Sequence, residues 1–420
     1  MADHKMRRRD FMKTAALGTA GLLIKPNMVQ PTMRVLGAND RVRVGMIGVG
    51  GRGQELLKQV VAVPNLQLAA IADIYSRRCD EARQSVQGLE TLDDHRRLLD
   101  MKDIDAVIVA SPLHLHCRHF LDTLAAGKDL YCEKTMTWSI PEAEQCLAAA
   151  KGSKQVVQIG LQHESSGSLA DTRKWIQQGI VGKVAMVESW MSRNTPHGQG
   201  QWVRQVPHDC SASTVVWNAF LNGRSARPFD GYKFINWRLF WEFSGGNITE
   251  NMVHQIAWIM SALDLPLPTS AHMSGGVFSE KDGREVPDTI AVTLDFPGDI
   301  AVIWRSTFSN SRYGLGEHIL GSDGTIEHLS GVTDMVTGRS ASSIRYYPEK
   351  ANRPNGAALT GDTPDQNHMA NFIDCVRSRK KPNAPVEIGY RSAVAAHMAN
   401  MAYREKRRIT LEAAKMATPA

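Results

Sequence analysis

The chain has 420 residues, of which 43% are apolar and 22% charged, the make-up of a globular protein with room for two domains. Its formal net charge of +6 is unevenly placed: residues 1–38 hold seven lysines and arginines against Asp3 and Asp10, so the remainder is close to neutral. Nothing in that balance implies a basic nucleic-acid face on the folded body. After the leader, no uncharged apolar run is long enough to span a membrane.

Taken in chain order, the first segment reads as an export signal. "RRRDFMK" precedes the uncharged run "TAALGTAGLLI", which is too short for a membrane helix. Arg8-Arg9-x-Phe11-x-Lys13 resembles the twin-arginine pattern, an address read by a receptor. The expected location is therefore periplasmic or extracellular, with residues 1–38 as signal and linker. The six cysteines are scattered, without a Cys-x-x-Cys pair, and their pairing is not readable from spacing.

From Arg41 to about Gln162, apolar runs alternate with helix-like segments. The runs are "VRVGMIG" (42–48), "LQLAAIAD" (66–73), "DAVIVAS" (105–111), "DLYCE" (129–133) and "VVQIGLQ" (156–162). This alternation predicts a parallel sheet covered on both faces, a doubly wound Rossmann domain over 39–163. Beyond residue 180, strand-like runs such as "KVAMVESWM", "DTIAVTLDF" and "DIAVIWRSTF" follow one another, separated by turns such as "FPGD" and "GSDG". They predict an α+β domain over 164–365 with an open, mostly antiparallel sheet, interrupted by a helix near 249–263. Two helices, at about 365–378 and 388–406, close the chain, and residues 366–420 are expected to pack back on the body. The segment 348–364 reads as an exposed loop. The overall class is α/β.

The first run ends in "GVGGRG", which puts Gly48, Gly50 and Gly53 at G-x-G-x-x-G spacing between a strand and a helix. Such glycines allow a tight turn on which a pyrophosphate meets a helix N-terminus. Asp73, twenty residues after Gly53 at the end of the second run, is placed to hold a ribose 2′-hydroxyl. A carboxylate there repels a 2′-phosphate and favours NAD, while Arg77 and Arg78 nearby keep NADP open. At "ASPLHLH" (110–116), the carboxyl edge of the sheet offers His116 towards the nicotinamide. His114 is as readily a structural residue of the loop.

"GVGGRG", "SPLHLH" and "YCEKT" together resemble the Gfo/Idh/MocA family of sugar and inositol dehydrogenases, and the resemblance extends through "NFIDCVRSRKKP" near the C-terminus. In that family an E-K-P motif ends a strand and its lysine meets substrate beside the nicotinamide; here Glu133 and Lys134 are followed by Thr135. The resemblance thus implies a cofactor-binding set of Gly48, Gly50, Gly51, Arg52, Gly53, Asp73, Ser111, Pro112, His116, Glu133, Lys134 and Gln162. It also implies an acid and a histidine one helical turn apart in the second domain, which "SGGNITENMVHQIAW" supplies as Glu250 and His254. Asn247-x-x-Glu250 equally reads as a capping box, so Glu250 is either a helix cap or the group that orients His254. With no third ligand at recognisable spacing, no metal is expected.

The aromatic stretch 217–243 embeds Trp237 and Arg238, which suit a sugar, although most of its rings read as core. The expected enzyme binds NAD, or else NADP, and oxidises a hydroxyl of a sugar or glycoside. His254 is the base, Lys134 polarises the oxygen, Glu250 assists, and Glu133 orients Lys134. An exported enzyme has no pool of free NAD, so the cofactor is expected to stay bound. Two alternatives stand beside this: a redox-neutral glycoside hydrolase working through a 3-keto intermediate, and an exported binding protein without turnover. A homo-oligomer is implied by resemblance.

Overall fold

Six short apolar segments make the first sheet: β1 (Val42–Ile47), β2 (Leu66–Ala72), β3 (Glu90–Leu92), β4 (Ala106–Val109), β5 (Asp129–Cys132) and β6 (Val157–Ile159). In this computed structural model, which describes residues 41–195, 200–333, 340–349 and 357–417, they lie in the order β3-β2-β1-β4-β5-β6 with every pair parallel. The export signal and part of the 348–364 loop lie outside the described residues. Every residue of β4, β5 and β6 is buried, which is why these strands read as unbroken apolar runs rather than alternations. β3 was not among the expected runs: "ETL" is three residues long, polar at its start, and sits at the sheet edge. The strand order reverses between β1 and β4, and such a reversal opens a crevice at the carboxyl ends of the strands.

The second sheet contains β7 (Val184–Ser192), β8 (Ser270–Gly276), β9 (Thr289–Phe296), β10 (Ile300–Thr307), β11 (Leu315–Gly321), β12 (Gly324–Thr333), β13 (Ser340–Pro348), β14 (Leu359–Thr360) and β15 (Ile409–Thr410). Its order is β14-β13-β12-β11-β7-β10-β9-β8-β15, antiparallel throughout except for the parallel pair β7–β10. The α/β class with one parallel and one mostly antiparallel sheet is as the sequence patterns indicated.

Helices join the sheets. Helix Val253–Ala262 is buried at every position but His254, and helix Val386–Glu405 buries thirteen residues beside it. Both belong to one apolar cluster that also holds Val107, Val109 and Leu130 of the first sheet and Val292 and Trp304 of the second. The helix His368–Ser378 instead returns to the first sheet, packing Met369, Phe372 and Ile373 with Val44, Met46 and Ile108. The cleft described below is therefore walled by elements far apart in sequence but fixed by shared cores. Five of the six cysteines are buried, and none is disulfide-bonded. No described helix is long and apolar enough to cross a membrane.

Candidate active site

The crevice beside β1 begins with a turn that only glycine can make. Gly48 has φ +87°, and a Cβ there would lie 2.8 Å from the Ser111 nitrogen. A Cβ on Gly53 would fall 2.3 Å from the Gly48 carbonyl oxygen. These two glycines let strand, turn and helix pack backbone on backbone. A Gly53→Ala substitution is expected to destabilise the fold by about 1–3 kcal/mol and to displace the turn. Urea melts and nucleotide titrations of the variant check this, and an unchanged midpoint with unchanged binding refutes it. Gly50 and Gly51 differ, because the nearest atoms a Cβ would meet belong to the guanidinium groups of Arg78 (3.3 Å) and Arg204 (3.4 Å). Helix Gly51–Ala62 starts here, and its first N–H groups have no acceptor within the helix.

Asp73 lies just beyond β2 and is 5% exposed. Its Oδ2 accepts from Val49 N (2.8 Å) and its Oδ1 from Tyr75 N (2.9 Å), so the carboxylate ties the glycine turn to the end of the second strand. Each oxygen keeps a further lone pair for a hydroxyl. Arg78 stands 3.7 Å from Asp73, whereas Arg77 is committed to Glu81 (2.8 Å) and Asp209 (2.9 Å). From this region a cavity of about 1390 Å³ runs past the turn, Ser111, Pro112 and Gln162 to Lys134, Trp237, Arg238, Glu250 and His254.

At its far end, the positions of the expected site residues differ from expectation in two respects. Glu133 does not hold the Lys134 ammonium. Successive residues at a strand end face opposite ways, and the Glu133 carboxylate turns to Arg52 Nε (2.9 Å) and Gln162 Nε2 (3.1 Å), accepting only the backbone N–H of Lys134 (3.2 Å). The Lys134 ammonium donates across the cleft to the carbonyl oxygen of Glu250 (2.8 Å) and to its Oε2 (3.2 Å). The Lys134–Thr135 peptide bond is cis, and Thr135 Oγ1 donates to the Thr249 carbonyl (2.6 Å).

Glu250, in turn, neither caps the helix nor orients His254. Residues Ile248–Met252 form a π-helical turn before the α-helix begins at Val253. This wider turn removes the i,i+4 stacking that a uniform α-helix would give. Burial alone would raise the Glu250 carboxyl, but the Lys134 ammonium and the Arg238 guanidinium, whose Nε lies 3.0 Å away, outweigh it and hold the group down at about 2. Arg238 also covers the Trp237 ring, 4.3 Å from its centroid.

His254 lines the cleft, with its Nδ1 buried and without a hydrogen-bond partner. Its ring lies 5.4 Å from that of His163. Burial and then the charge of Lys134, with smaller contributions from His163, Arg52 and Arg193, hold it well below the usual histidine range. His254 is therefore neutral at physiological pH, and Nε2 is the nitrogen left to meet a ligand.

Both histidines of the "SPLHLH" segment are structural. Both ring nitrogens of His116 are closed by backbone carbonyls, Nδ1 by Thr135 (2.7 Å) and Nε2 by Ser111 (2.8 Å), so His116 braces the loop after β4 against the Lys134–Thr135 segment and presents no nitrogen to a cofactor. His114 contacts the Phe220 carbonyl at 2.6 Å and packs on Phe220 and Phe243. Most of the aromatic stretch forms a separate core of Trp217, Phe220, Phe234, Phe240 and Phe243 with Tyr75. The sequence reading missed His163, Arg193 and Arg204 in the cleft wall. None lies in a motif, and their irregular surroundings carry no periodic signal.

These residues fit a nicotinamide dinucleotide. The nearest atoms above Gly50 and Gly51 are those of guanidinium groups, a helix N-terminus faces the same space, and Ser111 and Pro112 follow β4 at the carboxyl edge of the sheet. Fold and cleft together define an α/β protein with a Rossmann sheet and a dinucleotide-type crevice at its carboxyl edge. Residues 42–161 match the family described as "Oxidoreductase family, NAD-binding Rossmann fold", and residues 221–411 match its "C-terminal alpha/beta domain". The chain belongs to this family, Gfo/Idh/MocA.

Among its relatives is an uncharacterised oxidoreductase of Bacillus subtilis, 27% identical over 142 residues, which are 34% of this chain and 42% of that protein. Another is a glycosyl hydrolase family 109 protein of a Shewanella species, 25% identical over 230 residues, 47% of this chain and 50% of that protein. The chain thus spans about half the length of the curated relatives it matches or less. The fold is shared with an aldose-aldose oxidoreductase of Caulobacter crescentus (TM-score 0.65, 18% identity, covering 88% of this chain and 99% of that one). It is also shared with a scyllo-inositol dehydrogenase of Lactobacillus casei bound to NAD(H) and scyllo-inositol (TM-score 0.63, 15% identity, covering 89% and 99%).

Proposed function

We propose that this protein is an exported oxidoreductase that keeps NAD bound and uses it on a hydroxyl of a sugar or glycoside. The observation that carries the reading is the joining of Lys134, Glu250 and the neutral His254 at one end of the nucleotide cleft. When bound, the nicotinamide supplies a hydride acceptor. His254, held in its unprotonated form, accepts the hydroxyl proton at Nε2. Lys134 has three donors and spends two on Glu250, so one remains to polarise the substrate oxygen. Arg238 and Trp237 offer a donor and a ring face to the rest of a sugar. Asp73, with Arg77 already committed elsewhere, favours NAD over NADP.

A redox-neutral glycoside hydrolase is the second reading, and the family 109 relatives favour it. In both readings the retained cofactor follows from export, since the twin-arginine route carries folded proteins and the periplasm offers no free NAD.

The test is to denature the purified protein, analyse the released nucleotide, and then follow nicotinamide absorbance as sugars and glycosides are added to the intact protein. NAD is expected at about one per chain. Lys134→Met and His254→Gln are expected to keep it while lowering turnover by about 100- to 10,000-fold. Wild-type rates in both variants would remove the catalytic assignment, and nucleotide without turnover on any sugar or glycoside would favour the binding-protein alternative.

A further inference from the structure

One guanidinium group reaches the glycine-rich turn from outside the first sheet. Arg204 belongs to an irregular strap that follows β7, and its two terminal nitrogens lie 3.4 and 3.5 Å from the position a Cβ on Gly51 would occupy. Buried polar groups hold the strap in place. Asn236, 1% exposed, accepts from Arg204 N at Oδ1 (2.7 Å) and donates from Nδ2 to Arg204 O (3.1 Å). Three residues earlier, the Gln201 carbonyl accepts from Nη2 of Arg284 (2.9 Å), whose side chain has no exposure and is paired with Asp282. The backbone is fixed while the side chain stays open to the cleft.

The charges around Arg204 are unequal. Arg52 is paired with Glu133 and Glu55, Arg78 with Asp73, and Arg238 with Glu250. Among the described residues, the Arg204 guanidinium has neither a hydrogen bond nor a carboxylate partner. Glu55, the nearby acid, is taken by Arg52. Partial desolvation, then Arg238 and Arg78, lower its proton affinity, as expected of a cation set among cations with no anion between them. A group carrying two negative charges, seated where the turn meets the start of helix Gly51–Ala62, is the counterpart this arrangement lacks. A guanidinium fork matches phosphate oxygens in a way that a lysine does not.

We propose that Arg204 is a clamp on the diphosphate of the bound dinucleotide, closing on the glycine-rich turn from the second domain and slowing release of the cofactor. The inference rests on the reading of this cleft as a dinucleotide site, and it gives that site a means of retention. Arg204 is a binding residue and takes no part in proton transfer.

The test compares wild type with Arg204→Gln and Arg204→Lys, each freed of nucleotide, in titrations with NAD, ADP-ribose and adenosine. Arg204→Gln is expected to bind NAD and ADP-ribose about 10- to 100-fold more weakly, with a flatter dependence on salt, and to leave adenosine binding and the apo melting temperature unchanged. Arg204→Lys is expected to recover part of the loss. Equal ADP-ribose affinity in wild type and Arg204→Gln overturns the clamp while leaving the dinucleotide site standing. An equal loss for adenosine also overturns it, because the strap would then be structural. If wild type binds neither NAD nor ADP-ribose, the reading of the cleft fails and the clamp fails with it.

Discussion

Replacing Glu250 by alanine is expected to destabilise the protein by about 3 kcal/mol and to take from Lys134 its carboxylate partner at the cleft end. One carboxylate, 7% exposed, balances two cations, Lys134 at 3.2 Å and Arg238 at 3.0 Å. Removing it leaves both cations without a carboxylate, Lys134 keeping only its 2.8 Å bond to the backbone carbonyl of residue 250. The loss falls near the lower end of that seen for broken buried pairs, because the side chains of Lys134 and Arg238 retain 14% and 26% exposure and can draw on water in the cleft. Glu250→Gln keeps an acceptor oxygen and the volume, so a smaller loss is expected from it. The carboxyl is depressed to about 2 in the fold, so its contribution is complete above the ordinary carboxylate range and disappears only as pH falls towards 2. Urea unfolding at pH 7 measures the difference, and a midpoint shift worth less than about 0.5 kcal/mol would put Glu250 outside any significant ion pair.

Acid is expected to unfold the protein steeply from just below neutrality. His114, His119, His163, His254, His368 and His397 are all held below the usual histidine value, with burial the largest cause in each. His114 is depressed to about 3, and His368 and His397 to about 4. In the unfolded chain each titrates near 6.5. Between the folded and unfolded values the unfolded state binds more protons, so stability is at its plateau above about pH 7 and falls as pH drops. Each histidine contributes up to about 1.4 kcal/mol per pH unit within its window. Several acting together can exhaust a folding free energy on the order of 5–15 kcal/mol within about two units. Glu164 and Glu142 have the opposite sign, since burial raises Glu164 to about 7 and lifts Glu142 as well, so their folded forms take up the proton first, but they are two groups against the larger set of histidines. Melting temperatures measured from pH 8 to pH 4 should be level down to about 7 and then fall sharply. A level profile down to pH 5 would falsify the account.

The placement of the cleft was legible because it rests on patterns local in the chain. Strand–helix alternation orders β1, β2, β4, β5 and β6, and spacing along it puts the glycine turn, Asp73 and Lys134 at carboxyl ends of strands. β3 escaped because three residues, beginning with a glutamate, carry too little apolar signal. Glu133 was assigned to the wrong cation: pleating sends it away from the Lys134 side chain, towards Arg52 and Gln162. Glu250 was misread because a helical wheel assumes a uniform period, and the π-turn at Ile248–Met252 breaks it. His116 was offered to a cofactor because nothing in its own segment shows that Thr135, nineteen residues on, closes one of its nitrogens.

By itself, then, the sequence determined the class of fold, the glycine-rich turn and the acid at the end of the second strand, since each depends on backbone periodicity and steric freedom over a few residues. Only the tertiary structure decided how the charges are paired. Lys134 with Glu250, Glu133 with Arg52, and Arg204 beside Gly51 with no partner among the described residues are set by distances of a few ångströms between segments far apart in the chain. Coulomb energy and desolvation follow those distances and not separation along the chain.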